Sequence, residues 1–114
     1  MKLNHLNLTV TDVLATSQFL QKYFGLQPVE GQEGDHKFTV LFDDDRLVLT
    51  LMKGGQVKYP ATFHIGFIQE SEARVNEINQ RLKADGFAVE APQRSHAWTF
   101  YVQAPGGFMV EVLG

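Results

Sequence analysis

Two stretches of the chain, residues 3–10 (Leu-Asn-His-Leu-Asn-Leu-Thr-Val) and 62–68 (Thr-Phe-His-Ile-Gly-Phe-Ile), alternate apolar with polar or small positions and hold one histidine each. A period of two is that of a strand with one buried face. His5 then shares a face with Asn7 and Thr9, and His64 with Thr62 and Gly66, while Leu6, Leu8, Phe63, Ile65 and Phe67 line the other. Both histidines are expected to look away from the core under the helices.

The pattern changes period after each of these strands. Val13, Leu14, Phe19, Leu20, Tyr23 and Phe24 fall on one helical face, with Asp12 as N-cap and Gly25 as stop, which predicts a helix over about 13–24. A short strand is expected at Leu26 to Glu30, a loop at Gly31 to Asp35, and a hairpin of Phe38–Phe42 with Arg46–Met52 around the Asp43-Asp44-Asp45 turn. Lys53 to Pro60, with two glycines and a proline, is the candidate linker. The order then repeats. A helix over about 71–84 is capped by Ser71 and stopped by Gly86, and strands follow at Phe87–Glu90, Ala97–Gln103 and Phe108–Leu113, with residues 104–107 as the last turn.

The repeat is also visible in the spacing. His5 and His64 lie 59 positions apart, as do Asp12 and Ser71, while Gly25 and Gly86 lie 61 apart. Carried forward, the offset of 61 aligns Leu49 with Val110, Thr50 with Glu111, and Phe38 and Val40 with Thr99 and Tyr101. Each half is strand, helix, then three strands. The fold class expected is α+β: two βαβββ repeats forming a cupped mixed β-sheet with helices on the outer face. The repeats, about 1–53 and 61–114, belong to one domain, because halves of about 55 residues should share a core or a cleft.

Composition narrows the function. An apolar fraction of 44% with 20% charged residues is that of a soluble globular chain. No run is long enough to span a bilayer and no signal-like leader opens the chain, so the expected location is cytoplasmic, with no membrane partner. A net charge of −3 without a Lys/Arg cluster argues against nucleic acid. With no cysteine, any metal must be held by nitrogen and oxygen.

That restriction gives meaning to Glu111, a carboxylate in the middle of the apolar run 108–113. Buried there, it needs a partner, water or a cation. A divalent metal between His5, His64 and Glu111 satisfies all three, and two histidines with one carboxylate are typical of Fe, Mn, Zn or Ni sites with open positions. The same alternation gives the walls of a cleft. Phe38, Val40, Val48, Thr50 and Met52 line one half, Thr99 and Tyr101 place hydroxyls in the other, and Asn7 stands two residues beyond His5. These walls suit a small amphipathic or aromatic molecule. Trp98 and Phe100 face the core instead. His36 and His96 are read as surface residues and Asp43 to Asp45 as a solvated turn.

Taken together, the paired units, Asn-His-Leu-Asn-Leu at 4–8, Phe-His-Ile-Gly-Phe at 63–67 and Ala-Pro-Gly-Gly-Phe-Met-Val-Glu-Val at 104–112 resemble the vicinal oxygen chelate superfamily over nearly the whole chain. That superfamily includes glyoxalase I, bleomycin resistance proteins, extradiol dioxygenases and the fosfomycin resistance thiol transferases. The resemblance implies a sheet cupped around a metal, with His5, His64 and Glu111 at ligand positions. It also implies a homodimer with sites at the subunit interface, one subunit giving His5 and the other His64 and Glu111. Thr50 stands where glyoxalase I would carry a fourth, carboxylate ligand, and the chain stops three residues after Glu111, short of the C-terminal arm of the fosfomycin enzymes.

Two principal function classes follow. One is a metal-dependent lyase, isomerase, thiol transferase or dioxygenase acting on a small oxygen-rich molecule, with Glu111 as ligand and candidate base. The other is a metal-free, drug-sequestering protein of the bleomycin resistance type. A weaker third reading is a structural domain that only dimerises.

Overall fold

The computed structural model describes residues 1–31 and 35–114, so the middle of the expected loop at 31–35 lies outside the described residues. The chain divides into two compact units, Met1–Tyr59 with Pro105–Gly107, and Pro60–Ala104 with Phe108–Gly114.

The first unit runs β1 (His5–Val10), α1 (Val13–Phe24), β2 (Gln27–Pro28), β3 (Phe38–Phe42) and β4 (Val48–Lys53). Its sheet has the order β1-β4-β3-β2, with β1 parallel to β4 and the other pairs antiparallel. The helix has the predicted bounds because its caps are local. The Asp12 carboxylate accepts from the Ala15 amide at 2.9 Å, and Gly25 takes the left-handed conformation, φ 69°, that closes the last turn. Helix α1 lies against β3 and β4, and Leu8, Val10, Leu41, Leu49 and Leu51 are buried together with Val13, Phe19 and Leu20 of the helix. The opposite face carries His5, Asn7, Val40, Val48, Thr50 and Met52 at the alternate positions. The Asp43 carboxylate accepts from the Asp45 and Leu47 amides, so the acidic turn is held by its own backbone.

In the second unit come β5 (His64–Ile68), α2 (Glu72–Ala84), β6 (Gln93–Arg94), β7 (Trp98–Gln103) and β8 (Met109–Leu113), in the sheet order β5-β8-β7-β6. Ser71 caps α2 by accepting from the Arg74 amide, and Val75, Ile78 and Leu82 are buried, as are Phe100, Val102, Val110 and Val112 of the sheet. The registers reproduce the repeat. His5 pairs with Val48 as His64 pairs with Met109, and Val40 pairs with Thr50 as Tyr101 pairs with Glu111. The chain is thus α+β, two βαβββ units whose strands, among the described residues, form two mixed sheets of four.

One expected strand is misplaced. Phe87–Glu90 forms no ladder, and the edge strand is Gln93–Arg94. The cause is a tertiary bond: Asn79 of α2, 3% exposed, donates its side-chain amide to the Glu90 carbonyl at 2.8 Å. That carbonyl is withdrawn from sheet pairing, and Pro92, which has no amide hydrogen, follows before pairing begins. The expected strand Leu26–Glu30 shrinks to two residues at the edge, where Pro28 likewise has no hydrogen to give. Among the described residues no helix is long and apolar enough to cross a membrane.

Candidate metal and ligand site

On the sheet face of the second unit that points away from α2, strand register places Glu111 beside Gly66 on one side and Tyr101 on the other. Its side chain is only 7% exposed. One oxygen, Oε2, accepts from the Thr99 hydroxyl at 2.7 Å and lies 2.6 Å from Nε2 of His96. The other, Oε1, faces Nε2 of His64 at 3.5 Å, beyond a normal hydrogen bond. Burial pushes the Glu111 carboxyl up, but Thr99, His96 and the Tyr101 hydroxyl together outweigh it and hold the group below its ordinary 4.5. The same burial, reinforced by the Glu111 charge and hydrogen bond, raises the Tyr101 phenol above 10.0.

The ring nitrogens can be assigned from their partners. A carbonyl oxygen only accepts, so the 2.9 Å contact of His64 Nδ1 with the Thr62 carbonyl puts a proton on Nδ1 and, in the neutral ring, leaves the lone pair on Nε2. His5, in the first unit, has the same arrangement, its Nδ1 lying 2.7 Å from the Asn4 side-chain oxygen. A metal-ligating histidine has this form: one nitrogen anchored to an acceptor, the other presented to the ion. His96 is the reverse, because its Nε2 faces a carboxylate that only accepts.

With the His64 ring neutral, its Nε2 lone pair and the Oε1 oxygen of Glu111 face each other, a gap that either a proton or a cation would bridge. Two donors bound to one divalent ion at about 2.1 Å stand roughly 3.0–3.4 Å apart. The observed 3.5 Å gap fits such an ion with a slight adjustment. Among the described residues no group of three or more His, Asp or Glu side chains is set to hold a metal.

The structure thus brings together His64, Glu111, Thr99 and Tyr101 of the expected set, and it adds His96. The His64 and Tyr101 rings meet edge to face, their centroids 5.3 Å apart. Thr99 is buried and gives its proton to Glu111, so it orients the carboxylate and can only accept from a ligand. Trp98 and Phe100 lie on the helix side as expected, Phe100 buried and the Trp98 indole donating to Asn76 of α2.

In the first unit, the open face carries His5, Asn7, Phe38, Val40, Val48, Thr50 and Met52 by register, and the Thr50 hydroxyl donates to the Asn7 side chain at 2.6 Å. Thr50 is thus occupied with a neighbour at the position equivalent to Glu111.

The sequence pattern places His96 on the surface, and its ring is 54% exposed. Its contact with Glu111 left no trace in the pattern. In strand β7 the odd positions face Glu111, so extrapolating the alternation puts residue 96 on the other side. A tight turn, closed by the Ser95 amide on the Ala97 carbonyl at 2.9 Å, swings the ring back.

Two cavities flank Tyr101. One of about 450 Å³ is lined by Glu90, Gln93, Ser95, His96 and Tyr101 among others, and one of about 320 Å³ by Ala61, Thr62, His64, Tyr101 and Met109. Asn79 fixes the segment that walls the larger one. Asn79→Ala leaves the Glu90 carbonyl without that donor, so urea unfolding is expected to show a loss of about 1–3 kcal/mol, with faster amide exchange around Glu90.

The sequence model of the Glyoxalase/Bleomycin resistance protein/Dioxygenase superfamily matches residues 2–112. The chain belongs to that superfamily. Among solved members, a possible glyoxalase from Bacillus cereus is 58% identical, with 100% of this chain and 99% of that one covered and a TM-score of 0.94. The E126Q variant of the fosfomycin resistance protein FosX from Listeria monocytogenes, solved with Mn(II) and 1S,2S-dihydroxypropylphosphonic acid, is 23% identical. It covers 98% of this chain and 90% of its own with a TM-score of 0.80, a likeness of superfamily fold. An uncharacterized protein of Pseudomonas aeruginosa is 30% identical over 98 residues, 80% of this chain and 70% of its own.

Proposed function

We propose that this superfamily member is a metal-dependent enzyme acting on a small oxygen-bearing molecule, with His64, Glu111 and His5 as the ligands of a divalent ion such as Mn, Fe, Zn or Ni. The observation that carries the reading is the 3.5 Å separation of His64 Nε2 from Glu111 Oε1, with His64 Nδ1 committed to the Thr62 carbonyl. His5, whose Nδ1 lies 2.7 Å from the Asn4 side-chain oxygen, is the third ligand of this reading, and a homodimer is its expected assembly. When bound, the ion supplies Lewis-acid polarisation of a substrate oxygen.

The chain's own residues do the rest. Thr99, His96 and Tyr101 hold the carboxylate in its ionised form and fix its rotamer. Tyr101, Thr62 and Met109 wall the space beside His64 and keep a ligand against it. Asn7 and Thr50 offer a paired amide and hydroxyl to a polar substituent, while Phe38, Val40, Val48 and Met52 shield an apolar one.

A metal-free, sequestering role is the second reading, and one observation favours it. Glu111 already has three protein partners, and a proton on His64 would close the remaining gap without an ion.

Elemental analysis of protein purified without chelator separates the two. About one metal per chain in the parent and none in His64→Ala is the expected outcome, with light scattering on the same samples giving a dimer mass. A parent that binds neither Mn(II), Fe(II), Zn(II) nor Ni(II) on titration would remove the enzyme reading.

A further inference from the structure

We infer that His96 is a positioning residue for Glu111, fixing one carboxylate oxygen so that the other is held out to the cation beside His64. The inference rests on the metal reading above. His96 Nε2 and Thr99 Oγ1 aim their protons at the same oxygen, from 2.6 and 2.7 Å. Two short, charge-assisted bonds occupy Oε2, and a cation on that oxygen would have to displace one of them. Oε1 lies on the other side, facing His64 and the backbone of Gly66, where a Cβ would stand 3.9 Å from it. Chelation by both oxygens is therefore disfavoured, and the carboxylate is set to ligate through Oε1 alone.

The two histidines on Glu111 have complementary tautomers, which is what divides their roles. His64 gives its Nδ1 proton to the Thr62 carbonyl and, in the neutral ring, keeps a lone pair on Nε2, so it can bind a metal. His96 carries a proton on Nε2, so that nitrogen can ligate an ion beside Glu111 only by giving up its bond to the carboxylate. Its Nδ1 lies 3.4 Å from the Ser95 hydroxyl, and its turn is closed by the Ser95 amide on Ala97. Thr99 holds that oxygen from within the sheet and Tyr101 is a further partner of the carboxylate, while His96 adds a second donor to the same oxygen from outside the sheet.

A merely structural role predicts something different. His96 is half exposed, so removing it should change global stability little. The test titrates Mn(II) into the parent, His96→Ala and His96→Gln, following the free ion by electron paramagnetic resonance and the unfolding midpoint alongside. Loss of an outer partner of a metal ligand typically weakens binding about 10- to 100-fold, and that loss is expected in His96→Ala with the midpoint nearly unmoved. His96→Gln keeps an N–H donor and should recover part of it. Infrared difference spectra on Mn(II) addition give a second readout. The separation of the carboxylate stretching bands should be wide in the parent and narrower in His96→Ala, where Glu111 is freer to chelate. Equal Mn(II) affinity in all three proteins overturns the inference and leaves the metal reading standing. A parent that binds no divalent ion overturns both.

Discussion

Gly106→Ala is expected to destabilise the protein by about 3 kcal/mol or more, enough to lower Tm by on the order of 10 °C. Gly106 has φ +100°, a conformation that costs an L side chain energy wherever it occurs. Here a Cβ would also lie 2.5 Å from Thr16 Oγ1 and 2.9 Å from Val10 Cβ. Neither neighbour can retreat. Val10 and Thr16 are 0% exposed, and the Thr16 hydroxyl is held between the Asp12 carbonyl at 2.6 Å and the Pro105 carbonyl at 2.8 Å. Residues 105–107, although the last turn of the second repeat in sequence, belong to the first unit, and the close approach of Gly106 to β1 and α1 is how they do so. Gly86→Ala is the control: it has a similar φ of +94° but nothing within 4 Å, so it carries the backbone cost alone, about 1 kcal/mol. Thermal and urea unfolding of both variants decides the matter. Equal losses would mean that the 105–107 turn is not packed against Thr16 and Val10 as described.

The contrast between those two glycines shows what the sequence could and could not reveal. Caps and stops are local chemistry, so Asp12, Gly25 and Ser71 gave the helix bounds to within a residue. Period-two alternation is also local, and with the spacings of 59 and 61 it aligned Thr50 with Glu111 and put Thr99 and Tyr101 on one face, equivalent to Phe38 and Val40. What stayed hidden depends on distant partners. Gly106 looks like any turn glycine until Thr16, 89 positions before Pro105, closes on the same turn. Phe87–Glu90 has strand-forming residues, but a side chain 11 positions away on a helix captures its carbonyl. His96 breaks the alternation that located every other residue of the site, because a turn intervenes. For the same reason the second half of the Glu111 environment was unreadable: the need for a partner was legible in a carboxylate among apolar residues, whereas the identity of three of its partners was a matter of tertiary geometry.

That environment makes Glu111→Gln the sharpest test of the site. The variant is nearly isosteric. Its amide oxygen, placed where Oε2 stands, can still accept from Thr99 and His96, and its amide hydrogens would then face the lone pair of His64 Nε2. The Thr99 and His96 donors keep their acceptor, so the fold should persist while the negative donor is gone and a hydrogen fills the gap. Mn(II) affinity should therefore fall by more than the roughly 10- to 100-fold that loss of an outer partner produces. Acid unfolding of the metal-free protein supplies an independent readout. The Glu111 carboxyl titrates below its ordinary 4.5 in the fold, so its ionised form contributes stability that is complete above that value. The contribution disappears as pH falls through the lowered folded value. Glu111→Gln has no such group, so its stability should decline less steeply than the parent's as pH falls below the ordinary 4.5. Protons also compete with the ion for the carboxylate and the histidines, and Mn(II) affinity in the parent should weaken as pH falls. If Glu111→Gln bound Mn(II) as tightly as the parent, Glu111 would not be a ligand, and the lone-pair confrontation with His64 would have to be closed by a proton instead.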